Sequence, residues 1–559
     1  MRRPAGTEKI AMTEIEQQDP QSLLSAWQAD PTDRDAFMRF LSSLNAKRQF
    51  PLMLDAVELY SKHAEVDPEI LTFIGAKAVE CDIPELAIKF FNRSLRENPK
   101  QVIAYAGLIN ALYKMSRGDE GIAAFRRALS NGVFHVDYLK EVGWIYMRLK
   151  NDRAKAEKYF RAAETMGNNS AALLDSLAEI ERSNPDKSVP IALYRRAIAQ
   201  KPGDPQLHLN FAIFLLSNGF LEEGWREYRW RMHVDLGPRR GVLYNPDLPG
   251  WDGEALAGKS VFLIAEQGIG DEIMFGFLLH WLVPEAERVA IGVDPRLVPI
   301  FQRTFPDALV GAFKDRVVNQ VRSRSVPRVE HAHFNGQWPI DHTLPIAAPA
   351  ELYWQRSDAL PEWPAGYLTP DPERVAAFRD RLDLPDERLR VGLAWRSGFM
   401  HVERGRYFNP DRLEALIAVP NVQFFSLQYS ADDAEIHRLQ ELAGDRFTVF
   451  DDVDLREDIE ANLAILAHMD LVIGPPVSTL MMSLAVGRPT WMLTGTPWYF
   501  LGHPPPEPPH IPHLRTVRGG PAKCVDPLQT VLETWHRDGT LPDAFREFQV
   551  TTFRTHATR

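Results

Sequence analysis

A chain of 559 residues exceeds what one hydrophobic core serves and points to about three domains. Hydrophobic residues make up 45% and charged residues 25%, the balance of a globular protein rather than a disordered one. A net charge of −11 excludes a chain-wide basic footprint for nucleic acid, and two cysteines, Cys81 and Cys524, exclude a disulfide framework and a cysteine-rich zinc site.

The first stretch, MRRPAGTEKIAMTEIEQQDP, has no apolar run after its arginines, so it does not read as a secretory signal. No segment approaches the roughly 20 apolar residues of a membrane helix. The expectation is a cytoplasmic protein without a membrane span, in which residues 1–33 form an N-terminal tail.

Residues 68–101 place Leu71, Ile74, Gly75, Ala78, Ala87, Phe91, Ser94 and Pro99 at the spacing of the tetratricopeptide repeat. That unit is a helix–turn–helix of about 34 residues, with small residues where its helices cross. Tyr105, Leu108, Leu112, Gly121, Phe125 and Ala128 repeat the pattern. So do Leu139, Gly143, Tyr146, Ala156, Phe160 and Ala163, with one extra residue in the turn, and then Leu174, Leu177, Ala178, Tyr194, Ala197 and Pro202. Residues 205–238 make a further unit and 34–67 a degenerate first one, so an α-solenoid is expected over 34–238. The concave face of such a solenoid commonly binds peptide; a purely architectural spacer is the alternative.

After Gly237-Pro238 short β-branched runs alternate with helical patterns, as in parallel βαβ units. Strands are expected at 260–265, 288–293 and 308–313, followed by a looser stretch around 315–365. A second set is expected at 390–395, 422–428, 447–450, 470–474 and 489–494, with helices at 410–418, 431–442, 456–468 and 478–486. The division is an N-terminal half at 239–385, a C-terminal half at 386–535, and a C-terminal helix and tail at 536–559. Two doubly wound, Rossmann-like halves suggest a ligand cleft between them.

These features together resemble a bacterial tetratricopeptide-repeat glycosyltransferase of the GT-B type. The chain is similar to the lipopolysaccharide heptosyltransferases and, more distantly, to the protein O-GlcNAc transferases. The resemblance is carried by NGFLEEGWREYRWRM (218–232), LPGWDGEALAGKSVFLIAEQGIGDEIMF (248–275), AGYLTPDPE (365–373), VGLAWRSG (391–398) with His401, FFSLQ (424–428) and LAVGRPTWML (484–493). It implies an inverting, metal-independent transfer of a sugar from a nucleotide sugar, as co-substrate rather than cofactor, to a protein held by the repeats. Flagellin is an acceptor that repeat-bearing relatives modify.

The loop Gly268-Ile269-Gly270-Asp271 lacks the third glycine of G-x-G-x-x-G and the lysine of a P-loop. The resemblance makes Asp271 the base that takes a proton from the acceptor hydroxyl; alternatively Asp271 caps a helix beginning at Glu272. Glu266 and Glu272 are secondary choices, either of them open to being a solvated charge.

On the donor side, the resemblance implies that Arg396, Ser397, His401, Arg404 and Arg406 in the loop 395–408 are suitable phosphate partners, guanidinium matching phosphate geometrically, a structural histidine and a solvated arginine face being the alternatives. Ser478 and Thr479 open a helix whose N–H groups favour an anion; Ser426 and Gln428 would line the nucleotide pocket or merely end a strand, and Trp498 would flank the cleft or serve packing alone. The chain departs from its relatives by placing Pro476, Val477 and Met481 where Asp, Thr and His are common. Either the donor differs, or the domain is degenerate and the protein is a non-catalytic repeat adaptor. HAHF (331–334) lacks the spacing of a zinc motif, so no metal is expected.

Overall fold

The computed structural model describes residues 19–47, 49–60, 62–65, 67–237, 241–245, 248–251, 254–318, 321–357, 361–364, 366–382, 388–396, 408, 410–493, 511, 513–517 and 520–538. It divides into two compact units, one of residues up to 207 together with 317–321, the other of 208–316 with 322 onward.

Antiparallel helix pairs build the first unit: Arg34–Ala46 with Phe50–Tyr60, Pro68–Glu80 with Pro84–Glu97, Val102–Lys114 with Gly118–Ser130, and so on to Ser188–Gln200. A further helix, Pro20–Ala29, lies in the stretch read as a tail and buries Trp27 against Phe37, Phe40 and Tyr60. Local chemistry sets the helix starts. The carboxylate of Asp33 accepts the N–H groups of Asp35 and Ala36, Asp67 that of Ile70 and Asp152 that of Lys155. Pro68 and Pro84 stand at first positions, where no N–H is needed.

Glycines make room for the large residues of the repeat. A Cβ on Gly107 would lie 2.2 Å from the Phe91 ring, and one on Gly75 would lie 2.8 Å from it. Gly143 gives the Phe160 ring the same room, at 2.4 Å. Each ring fills a notch that any side chain would close.

The extra residue of the third window is absorbed inside its first helix. Asp137–Trp144 continues as a wide π turn, Ile145–Leu149, in which the Lys150 N–H donates to the Ile145 carbonyl and the Asp152 N–H to that of Tyr146. Ile145 lies over Gly118 and Gly121, where a Cβ would come within 3.0 Å and 2.6 Å of it. Successive first helices are also joined by polar rungs. Asn110 donates to Glu141 at 2.8 Å, Trp144 Nε1 to Ser176 at 2.9 Å, and Arg148 to Glu179 at 3.2 Å.

The second unit is α/β. Its strands are β1 (Leu243–Asn245), β2 (Ser260–Ile264), β3 (Arg288–Val293), β4 (Leu309–Ala312), β5 (Lys314–Val318), β6 (Val321–Ser325), β7 (His342–Pro345), β8 (Leu389–Leu393), β9 (Val422–Ser426), β10 (Phe447–Thr448), β11 (Leu471–Gly474), β12 (Thr490–Leu493) and β13 (Leu514–Val517). A small sheet has the order β1-β6-β5; of the two larger sheets the first has the order β4-β3-β2-β7 and the second β10-β9-β8-β11-β12-β13, and the pairings in these two are parallel. The second order is that of the dinucleotide folds, reversing beside its first strand. Every residue of β2 and β9 is buried, which is why β2 reads as an apolar run instead of an alternating one, while β9 buries Gln423 and Ser426 among its apolar residues. No helix among the described residues is long and apolar enough to cross a membrane.

Replacing Phe91 with Ala should cost about 3–5 kcal/mol of stability, because the notch between Gly75 and Gly107 cannot collapse fully. Urea denaturation monitored by helical ellipticity measures it.

Candidate functional site

In a doubly wound sheet a ligand crevice opens where strand order reverses, outside the carboxyl ends of the strands. In the first sheet that place lies between β2 and β7. It is filled from within. Glu266, two residues past β2, is 1% exposed and accepts from Arg231 Nε and Nη2, both at 2.6 Å. The same carboxylate accepts the Ala347 N–H just beyond β7 at 2.8 Å.

Arg231 belongs to the short turn Arg229–Met232 that ends the GWREYRWRM stretch. Its guanidinium lies over the Tyr228 ring at 4.5 Å and donates to the Tyr228 carbonyl. Arg324 closes the pocket from the other side, donating to the carbonyls of Ala265 and Glu266 at 2.7 and 2.8 Å and holding Asp315 with its other nitrogens. Arg231 and Arg324 are functional-site neighbours that the sequence analysis did not single out. The quoted junction contained the signal, an arginine in one motif and a glutamate in the next.

The helix of the Gly-Asp loop runs Ile269–Gly276, three residues earlier than expected, and its N-cap is Gly268 in extended backbone. Asp271 therefore stands within the first turn and is not the cap, though its charge still favours the helix start. Gly270 packs directly on the start of the helix Ser478–Ala485, where a Cβ would meet Ser478 Cα at 3.5 Å. The two loops expected to face a ligand thus touch each other. Glu272 is not a solvated charge. It is 1% exposed, accepts the Asp294 N–H at 2.8 Å, and burial pushes its carboxyl up to about 8.

Arg396 follows β8, but its guanidinium is held by the Glu435 carboxylate through Nε at 2.8 Å and Nη2 at 2.8 Å. Glu435 is itself the third residue of a capping box with Asp432. The Gln428 side chain braces the same loop, its oxygen accepting the N–H groups of Trp395 and Arg396 at 3.0 and 2.9 Å. Thr479 is 1% exposed, and Ser478 is half-buried against Gly270. Ser397, His401, Arg404, Arg406 and Trp498 lie outside the described residues.

The seam between the sheets is apolar. One core runs from Leu263, Ile273 and Phe301 of the first sheet's layer to Phe425, Leu480 and Met482 of the second's. Val477 and Met481 belong to it and are 7% and 6% exposed. Ion pairs flank the seam. Arg303 binds Glu460 at 2.7 Å, and Arg296, held by Asp294, donates to the Arg456 carbonyl at 2.9 Å.

The chain is 30% identical over 519 residues to Protein FlbA of Caulobacter vibrioides, covering 89% of this chain and 81% of that protein. It belongs to the FlbA family. No family model matches the sequence. Among solved structures, a glycosyl transferase family 9 protein from Veillonella parvula aligns over 52% of this chain and 92% of its own with 11% identity and a TM-score of 0.36. A tetratricopeptide repeat protein from Parabacteroides merdae aligns over 40% of this chain and 86% of its own, with 14% identity and a TM-score of 0.32. Scores this low carry no argument about function.

The comparison corrects the activity. The expected glycosyltransferase, with its hexosyl-, heptosyl- or nonulosonate-type donor and its role in protein glycosylation or flagellin modification, does not stand for this FlbA-family chain. The relative matched over 89% of the chain bears the name FlbA and not that of a transferase, and no transferase family model matches. In the structure Arg396 is paired with Glu435, and Gly270 packs on the start of the helix at Ser478.

Two measurements bear on this site. Arg231→Ala or Glu266→Ala should each destabilise the protein by about 3–5 kcal/mol, the cost of leaving one buried charge unpaired; the double replacement by Met and Leu should recover much of it in urea titrations. For Glu272 the folded value near 8 lies above the ordinary 4.5, so its contribution to stability is fully present below pH 4.5 and is lost as pH rises through about 8. Stability of Glu272→Gln should fall less than wild type between those limits, measured as denaturation midpoints across pH.

Proposed function

We propose that the chain is a non-catalytic adaptor, in which the repeats hold a polypeptide and the α/β unit is a degenerate relative of the nucleotide-sugar transferase fold kept as a rigid body. The observation that carries this reading is the fate of the donor positions. Where relatives of the resembling family place a hydroxyl and an imidazole, Val477 and Met481 have joined the apolar core that unites the two sheets. A phosphate cannot be solvated by those side chains, and burying it beside them without donors would be costly. The ion pairs Arg303–Glu460 and Arg374–Asp458 add further ties in the same unit.

The polypeptide-binding part of the proposal is supported by the first helices of consecutive repeats. Asn110, Lys140, Trp144, Arg148 and Asp175 are half-buried there, a mixture of aromatic surface and polar groups suited to an extended chain. Lys140 is held by Glu141 at 2.9 Å and Arg148 lies over the Trp144 ring, so the face is ordered before a partner arrives.

Calorimetric titration with UDP-, GDP-, ADP- and CMP-linked sugars should give no saturable heat, and flagellin incubated with the protein and those sugars should keep its intact mass. A sugar-sized mass increment, or saturable nucleotide-sugar binding, would defeat the adaptor reading. Where flagellin binds, Trp144→Ala should weaken it by about 10-fold or more, the loss expected for a tryptophan anchor.

A further inference from the structure

The second helices of four consecutive repeats turn a face of one charge sign outward. We propose that this face, centred on Arg93, Arg127 and Arg196, docks an extended acidic segment of a partner protein, on a surface separate from the first-helix face described above.

Helical geometry defines the face. In Pro84–Glu97, Gly118–Ser130, Arg153–Thr165 and Ser188–Gln200 one buried ring points inward, respectively Phe91, Phe125, Phe160 and Tyr194. At about 100° per residue, the positions two and five residues to either side of that ring point outward. They hold Lys89, Arg93 and Arg96 on Pro84–Glu97, Arg127 on Gly118–Ser130, Lys158 on Arg153–Thr165 and Arg196 on Ser188–Gln200, all exposed. Lys155 also points outward but is held by Asp152 at 2.9 Å. The other outward positions are mostly small, such as Ala123, Ser130, Ala192 and Ala199, so little shields the basic groups.

Neighbouring acids do not cancel this charge. Glu120 is the acid at an outward position, and Arg117 holds it at 2.7 Å. Glu157 and Glu164, on the flank of Arg153–Thr165, are turned to Arg161 at 4.0 and 3.2 Å, and Asp119 binds Lys150 at 2.6 Å. Glu85 and Glu97 flank Pro84–Glu97 without an ion pair to its basic residues among the described residues. The Arg127 guanidinium lies over the Tyr105 ring at 5.5 Å, which leaves its N–H groups for a ligand. The face also has an end: the preceding second helix, Phe50–Tyr60, exposes Asp55 and Glu58 and carries no basic residue.

Spacing and chemistry select the occupant. Successive second helices stand about one helix diameter apart, roughly 10–12 Å, which three or four residues of extended chain span. A segment with a carboxylate at every third or fourth residue therefore meets one basic group per layer, and guanidinium binds carboxylate through paired N–H groups. Nucleic acid fits less well. The outward positions offer no aromatic side chain for base stacking, and a net charge of −11 opposes so dense a polyanion.

The test is fluorescence anisotropy on the full chain with a labelled peptide of about 14 residues, glutamate at every third or fourth position and serine and glycine between. Saturable binding is expected, weakened about 10-fold or more by Arg127→Glu combined with Arg196→Glu, and unchanged by Trp144→Ala. Both arginines are exposed, so the double variant should keep its helical ellipticity; where charge reversal disturbs folding, Arg127→Gln with Arg196→Gln should shift affinity in the same direction. The peptide with glutamine in place of glutamate should not bind. The proposal is overturned by absence of saturable binding, by equal binding of the glutamine peptide, by full affinity in the double variants, or by loss of binding in Trp144→Ala. Tighter binding of a single-stranded oligonucleotide or of phosphatidylserine vesicles overturns it as well.

Discussion

The buried pair of Arg231 and Glu266 is the constraint on which the α/β unit is organised. A guanidinium and a carboxylate taken wholly out of water are tolerable only when every donor and acceptor is met. Here the demands fix three segments at once: the turn after the last repeat helix, the residues past β2 and the backbone past β7. The pair occupies the one place in the first sheet where topology leaves a gap. The switch point of this sheet is bridged by a buried ion pair that joins three segments.

The loops of the second sheet are likewise braced by side-chain contacts. Its first loop is tied down by Glu435 and Gln428, and the loop past β11 meets Gly270 of the other sheet without a side chain between them. Relative movement of the sheets would have to break a continuous apolar core and its flanking ion pairs together.

Much of the architecture was legible in the sequence because its signals are local and repetitive. The strand 288–293 coincides with its apolar run, and the repeat windows named Gly75, Phe91, Gly143 and Phe160 before their contacts were seen. The strands that escaped notice are short or polar at their ends, such as β7, His342–Pro345, and β13, Leu514–Val517. The helix start at Ile269 was hidden because Gly268 caps it through backbone geometry and not through a recognisable side chain. The site was less legible for a different reason. Glu266, Glu272 and Arg396 read in the sequence as candidate site residues, and only the structure shows their partners Arg231, Asp294 and Glu435, distant in sequence. Residue type announces capability, whereas pairing decides its use.

The wide turn at Ile145–Leu149 has a bearing on how such an array tolerates change. A surplus residue in a stacked series would ordinarily twist everything downstream out of phase, since each layer is oriented by the one before. By swelling a single coil the helix quarantines the defect, and Arg153–Thr165 resumes with Ala156 and Phe160 facing inward. Length variation is thereby made harmless one layer at a time, and the array can drift in sequence without losing its pitch.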